Sequence, residues 1–95
     1  MIGYDIDGTL TGREDLTGCV VISGRTFAEY DETCKSLAAQ VPVYIRGAGA
    51  YGDRWAAAMF KAMMIKQLGV IVFHEDDPYQ AMYITNSCPG CKVVR

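Results

Sequence analysis

At 95 residues the chain is expected to form one domain spanning 1–95, and a hydrophobic fraction of 51% supports a packed core rather than a disordered chain. The net charge of −2 offers no basic face for a nucleic-acid polymer, so nucleic acid is not favoured as a partner. No apolar run reaches the roughly 18 residues of a membrane span.

The first strand is expected over Ile2 to Tyr4 and runs into Asp5-Ile6-Asp7-Gly8-Thr9. Side chains two apart on extended backbone share a side. Asp5 and Asp7 should therefore face one space, with Ile6 turned into the core. Two carboxylates held so close repel unless a cation or a shared proton relieves them, which makes the pair a candidate metal-dependent catalytic site. The same aspartates interrupt the apolar stretch that a signal peptide would need. With no such signal, the four cysteines Cys19, Cys34, Cys88 and Cys91 are expected as reduced thiols in a cytoplasmic setting.

Gly8 to Thr17 is rich in glycine, threonine and charge and reads as a loop. Gly18 to Ser23 is a β-branched apolar run that predicts a buried second strand, broken by Gly24. Phe27, Tyr30, Cys34, Leu37 and Ala38 recur at helical spacing, so one amphipathic helix is expected over Thr26 to Ala39. Thr26 and Glu29 have the spacing of a capping box at its start.

Pro42 fits the beginning of a strand, and Val41 to Ile45 predicts the third. Arg46 to Asp53 is a glycine-rich loop. Trp55 to Leu68 is built of good helix formers and is followed by Gly69 where a helix C-terminus favours it. Val70 to Phe73 predicts a fourth strand, Pro78 to about Thr85 a third helix with proline in its first turn, and Cys91 to Val94 a last strand. Strands alternating with helices imply an α/β, three-layer, Rossmann-like fold with a parallel sheet of about five strands and helices on both faces. Ligands in such sheets gather at the carboxyl ends of the strands. Asp5, Ser23, Arg46 and the acidic run Glu75-Asp76-Asp77 all fall at or just past such ends.

Two further signals are weighed against simpler readings. Gly47-Ala48-Gly49-Ala50-Tyr51-Gly52 fits G-x-G-x-x-G, but it follows the third strand rather than opening the first βα unit, so a flexible turn is the expectation. Cys88-Pro89-Gly90-Cys91 has zinc-knuckle spacing without the other two ligands, so a turn carrying two thiols is expected. His74 reads as structural, although it stands beside the acids.

Asp5-Ile6-Asp7-Gly8-Thr9-Leu10-Thr11 resembles the first motif of the haloacid dehalogenase (HAD) superfamily of phosphotransferases. Val21-Ile22-Ser23-Gly24-Arg25 is similar to its second motif, Phe60-Lys61 to its third, and Val72-Phe73-His74-Glu75-Asp76-Asp77 to its fourth. The order is the family's, and the matches cover nearly the whole chain. The resemblance implies a HAD-like core with strand order 3-2-1-4-5. It also implies an enzyme, a phosphoric monoester hydrolase working through an aspartyl-phosphate.

The implied roles are specific. Asp5 would be the nucleophile and Asp7 the general acid and base. Ser23, Gly24 and Lys61 would hold the phosphoryl oxygens, with Lys66 the other candidate lysine. Mg2+ would be held by Asp5, Asp7 through its carbonyl, and Asp76, with Glu75 or Asp77 as further ligands or supports. Arg25 and Arg46 are candidate substrate contacts. Glu75 departs from the glycine often found before the fourth-motif aspartate, and Gln80 from the acid often found four residues after it. The family's usual cap finds no room in the short loops, so an open site is implied. An open site suits a bulky or macromolecular phosphoester, or a homodimer that supplies a lid. A non-catalytic HAD-like binding or interaction domain, and a nucleic-acid end phosphatase, remain the alternatives.

Overall fold

The central strand of the sheet carries the site. In the computed structural model, which describes residues 1–10, 15–50 and 52–95, β1 (Ile2–Tyr4) lies between β2 (Cys19–Thr26) and β4 (Val72–His74). β3 (Val43–Gly47) and β5 (Lys92–Val94) form the edges, giving the order β3-β2-β1-β4-β5. Every pairing is parallel, with Gly3 opposite Val20 on one side and Phe73 on the other. This is the expected fold class and strand order. No cap is present among the described residues. Residues 11–14 of the predicted loop, including Thr11 of the first motif, lie outside the described residues, as does Tyr51 of the glycine-rich run.

Alternation along β2 divides the core in two. Val20 and Ile22 pack with Phe73 against α2 (Arg54–Leu68) and α3 (Pro78–Ser87), through Ala62, Ile65 and Ile84. Val21 points the other way, towards Cys34 of α1 (Glu32–Ala38), and joins Ile6, Leu16 and Val41. Helices therefore cover both faces, which lets a parallel sheet bury both of its sides. α2 ends on Gly69 in the left-handed conformation (φ 73°), and α3 starts with proline in its first turn, as expected.

One predicted helix is corrected. Thr26 to Ala39 is not continuous: a 3-10 turn at Phe27–Glu29 is followed by extended backbone at Tyr30 and Asp31, and α1 begins only at Glu32. The Thr26–Glu29 capping box forms, but it closes the short turn. The Asp31 carboxylate accepts from the N–H groups of Thr33 and Cys34 and starts the true helix. β2 also continues through Gly24 rather than stopping there. A Cβ on Gly24 would run into the Ala57 side chain, so the glycine lets α2 approach β2 closely.

All four cysteines are unpaired and buried. Cys88 and Cys91 both belong to the core under α2 and α3, with the Cys91 N–H donating to the Cys88 carbonyl across the turn. Burial pushes both thiols above the usual thiol range.

Candidate functional site

β1 delivers Asp5 to the carboxyl edge of the sheet, where its N–H donates to the His74 carbonyl of β4. Asp5 is 4% exposed, and its side chain turns towards α2. There Lys61, 2% exposed, places Nζ 3.0 Å from Asp5 Oδ1 and 2.6 Å from Glu75 Oε1. Lys61 also donates to Gln80 Oε1 at 2.7 Å. One ammonium thus ties the central strand, the β4 end and α3 together. Lys66 lies a turn further on and lines a separate apolar groove with Met59, Met63 and Tyr83, so Lys61 is the lysine at Asp5.

Two buried carboxylates share this single cation. Burial raises Asp5 above the usual aspartate range, against the pull of Lys61. Burial likewise pushes Glu75 up to about 7, with the Asp5 charge adding to it and Lys61 opposing. Asp76 is the next residue out and is exposed. A Cβ on Gly8 would strike its carboxylate, so Asp76 rests against the Asp7–Gly8 turn.

Asp7 lines the same cleft as Asp5 but has a different cationic partner. Its carboxylate is 67% exposed and takes Arg25 Nη2 at 2.9 Å and Nε at 3.2 Å. The backbone turns directly after Asp5, so the period-of-two rule stops applying there. Arg25 also reaches Asp31 at 3.0 Å, and its hydrogen bonds to the Asp7 carboxylate hold its guanidinium well above its ordinary range.

Asp5, Asp7, Gly24, Arg25, Lys61 and Glu75 line one open cleft of about 390 Å³, to which Arg46, Arg54, Asp76, Asp77 and Gln80 also contribute. Ser23 is wholly buried behind it, with Oγ accepting from the Arg25 N–H. Arg46 is committed to carbonyls, donating to Gly24 at 3.0 Å and to Ala50 at 2.8 Å; it fastens the loop after β3 to β2. Asp77 caps α3 and takes a two-pronged bond from Arg54 at 2.9 and 2.7 Å, which lowers it to about 2. His74 stacks on Tyr4 with ring centres 4.4 Å apart and is engaged in packing.

Sequence reasoning did not anticipate the Arg54–Asp77 fork or the Asp31–Arg25 bond. Gln80, a departure from the fourth motif, is a direct partner of Lys61. Its position one helical turn into α3 was the available signal.

The donor set is suited to a hard cation. Asp5, Glu75 and Asp76 supply only oxygen, and the positive charge of Lys61 does not balance them. Among the described residues, no three His, Cys, Asp or Glu side chains form a ready-made metal cage. Magnesium typically takes one or two carboxylates and keeps several waters, so the carboxylates here fit it without such a cage.

Fold and cleft define an α/β protein with a buried carboxylate–lysine cluster at the carboxyl edge of a parallel sheet. No family model, curated protein or solved structure matches the chain. No helix among the described residues is long and apolar enough to cross a membrane.

Proposed function

We propose that the chain is a capless HAD-type phosphohydrolase that cleaves a phosphomonoester with magnesium. The observation that carries this reading is Asp5 at the end of the central strand, held at 3.0 Å by the buried Lys61. Asp5 Oδ attacks phosphorus as the bond to the leaving oxygen breaks, giving an aspartyl-phosphate. Asp7 gives its proton to the leaving oxygen. Asp7 then takes a proton from water, whose oxygen displaces Asp5 and releases phosphate. Lys61 offsets phosphoryl charge, as preorganised cations do in such transfers. Asp5, Asp76 and the Asp7 carbonyl would hold magnesium, which supplies charge neutralisation at the transferring group. In this reading Asp7 exchanges Arg25 for the substrate.

The open cleft supports a bulky phosphorylated substrate. Four unpaired thiols support a cytoplasmic setting. The half-exposed Met59 and Met63 on α2 support a homodimer, which light scattering would read directly. The pairing of Asp7 with Arg25 favours a second reading, a domain that binds metal or phosphate without turnover. The deciding experiment is a panel of phosphate esters with magnesium, run on wild type and Asp5→Asn. Turnover by wild type and none by the folded variant is the expected result. Metal binding without hydrolysis of any ester supports the second reading, and unchanged turnover by Asp5→Asn overturns the first.

A further inference from the structure

Arg54, which lines the cleft, also touches a cluster of aromatic side chains beside it. Arg54 and Trp55 stand in the first turn of α2, and Tyr79 in the first turn of α3. Both helices begin at the sheet edge that carries Asp5. Trp55 is 51% exposed, and its ring lies 5.8 Å from that of Tyr79 and 5.0 Å from that of Tyr83. The Arg54 guanidinium lies over the Tyr79 ring, 5.4 Å from its centre.

The two-pronged bond to Asp77 fixes the plane of this guanidinium. It also occupies N–H groups that would otherwise be free to meet an anion, while the Arg54 side chain remains 59% exposed and lines the cleft. A planar cation, backed by an aromatic ring and open to solvent, recognises flat rings by stacking. Asp77 connects this platform to the reaction centre. Asp77 Oδ2 also accepts from Gln80 Nε2 at 3.4 Å, Gln80 Oε1 accepts from Lys61, and Lys61 meets Asp5. Arg54 and the nucleophile therefore line one cleft and are joined by a chain of side-chain contacts.

We propose that the Arg54–Tyr79 stack, with Trp55 beside it, binds the base of a nucleoside monophosphate whose phosphate lies at Lys61. The placement of that phosphate rests on the phosphohydrolase reading. A nucleotide has the two features the cleft separates: a dianionic end and a flat ring joined by a sugar. The acidic chain suits a mononucleotide rather than a long polyanion. The terminal nucleotide of an oligonucleotide presents the same chemistry and is the source to be distinguished.

Trp55 is the chain's single tryptophan, so its fluorescence reports the platform directly. Wild type is titrated without magnesium with adenosine 5′-monophosphate, ribose 5-phosphate and a 5′-phosphorylated single-stranded oligonucleotide. The expected result is binding of the nucleotide about tenfold or more tighter than the sugar phosphate, the ratio stacking on one base supplies. Arg54→Ala and Tyr79→Leu should each bring that ratio close to one. Equal affinities in wild type, or a ratio that survives both substitutions, overturns the proposal. An oligonucleotide that binds no tighter than the mononucleotide identifies the free nucleotide as the ligand. A tighter one identifies a nucleic-acid end held through the same platform. Failure of the phosphohydrolase reading is seen separately, as a retained nucleotide preference with no ester hydrolysed once magnesium is added.

Discussion

Lys61 and Glu75 meet at 2.6 Å where their side chains are only 3% and 1% exposed. Asp5 joins the same ammonium from the carboxyl end of the neighbouring parallel strand. Breaking a buried pair by removing one partner leaves an uncompensated charge, at a cost of roughly 3–5 kcal/mol. Lys61→Met should therefore destabilise the protein by about that much at pH 7. The loss should be smaller at pH 5, where the abandoned carboxylates can take up protons. Urea unfolding at the two pH values measures both, and a cost under about 1 kcal/mol at pH 7 would place Lys61 among exposed surface pairs instead.

The same cluster sets a pH dependence. Glu75 has its ordinary value at 4.5 when unfolded and about 7 when folded, and Asp5 is raised as well. A folded state that holds its protons more tightly gains stability below the unfolded value and loses that gain as pH rises through the folded one. Stability in magnesium-free buffer should accordingly decline from about pH 4.5 to about pH 7 on account of these groups. At about 1.4 kcal/mol per pH unit, Glu75 contributes at most about 3 kcal/mol to that decline. Glu75→Gln should flatten the profile over this range. A wild-type midpoint that climbs between pH 5 and 7 would contradict the assignment.

Magnesium should reverse part of this effect. It binds carboxylates only when they are ionised, and a ligand specific for the folded state stabilises by about 2.7 kcal/mol at a hundredfold excess over its dissociation constant. Thermal unfolding at pH 7.5 with increasing magnesium should show a rising midpoint in wild type and a much smaller rise in Asp76→Ala. An identical rise in both proteins would mean that Asp76 does not contribute to the cation site.

The layout of the fold was legible because alternating β-branched runs and amphipathic stretches leave few topologies for so short a chain. The positions of Asp5 and Glu75 at the carboxyl edge followed from that layout, whereas Lys61 was singled out only by the resemblance of Phe60-Lys61 to the third motif. What could not be read were pairings between residues distant in sequence. Arg25 meets Asp7 across 18 positions and Arg54 meets Asp77 across 23, and no local pattern specifies either. The break at Asp31 was hidden because the apolar spacing runs on through Tyr30, while the cap that starts α1 is a single polar side chain. Gly24 looked like a strand terminator because its purpose, contact with Ala57, is tertiary.

That contact gives a test of how the site is held. A methyl group at Gly24 would collide with the side chain of Ala57 and press on its backbone, in the helix that carries Lys61. Overpacking of this kind usually costs about 1–3 kcal/mol. Gly24→Ala should lose that much by urea unfolding, whereas Gly24→Ala combined with Ala57→Gly should recover most of it. If the double variant is no better than the single one, the close approach of β2 and α2 is not the reason for the glycine.

The pairing of Asp7 with Arg25 gives the sharpest kinetic prediction. General acid catalysis contributes about 10²–10⁴-fold, and more is at stake when the leaving group is poor. Asp7→Asn should therefore lower turnover of an alkyl phosphate by about that factor. An aryl phosphate with a good leaving group needs little protonation, so Asp5 can still attack it. Without Asp7 to activate water, the aspartyl-phosphate should then accumulate. Rapid mixing should show a burst approaching one equivalent of phenol, followed by a slow steady rate. Arg25 would keep Asp31 as its partner in this variant, so the fold should persist, as circular dichroism can confirm. Turnover of the alkyl ester at the wild-type rate by folded Asp7→Asn would remove Asp7 from the mechanism and leave its bond to Arg25 as its role.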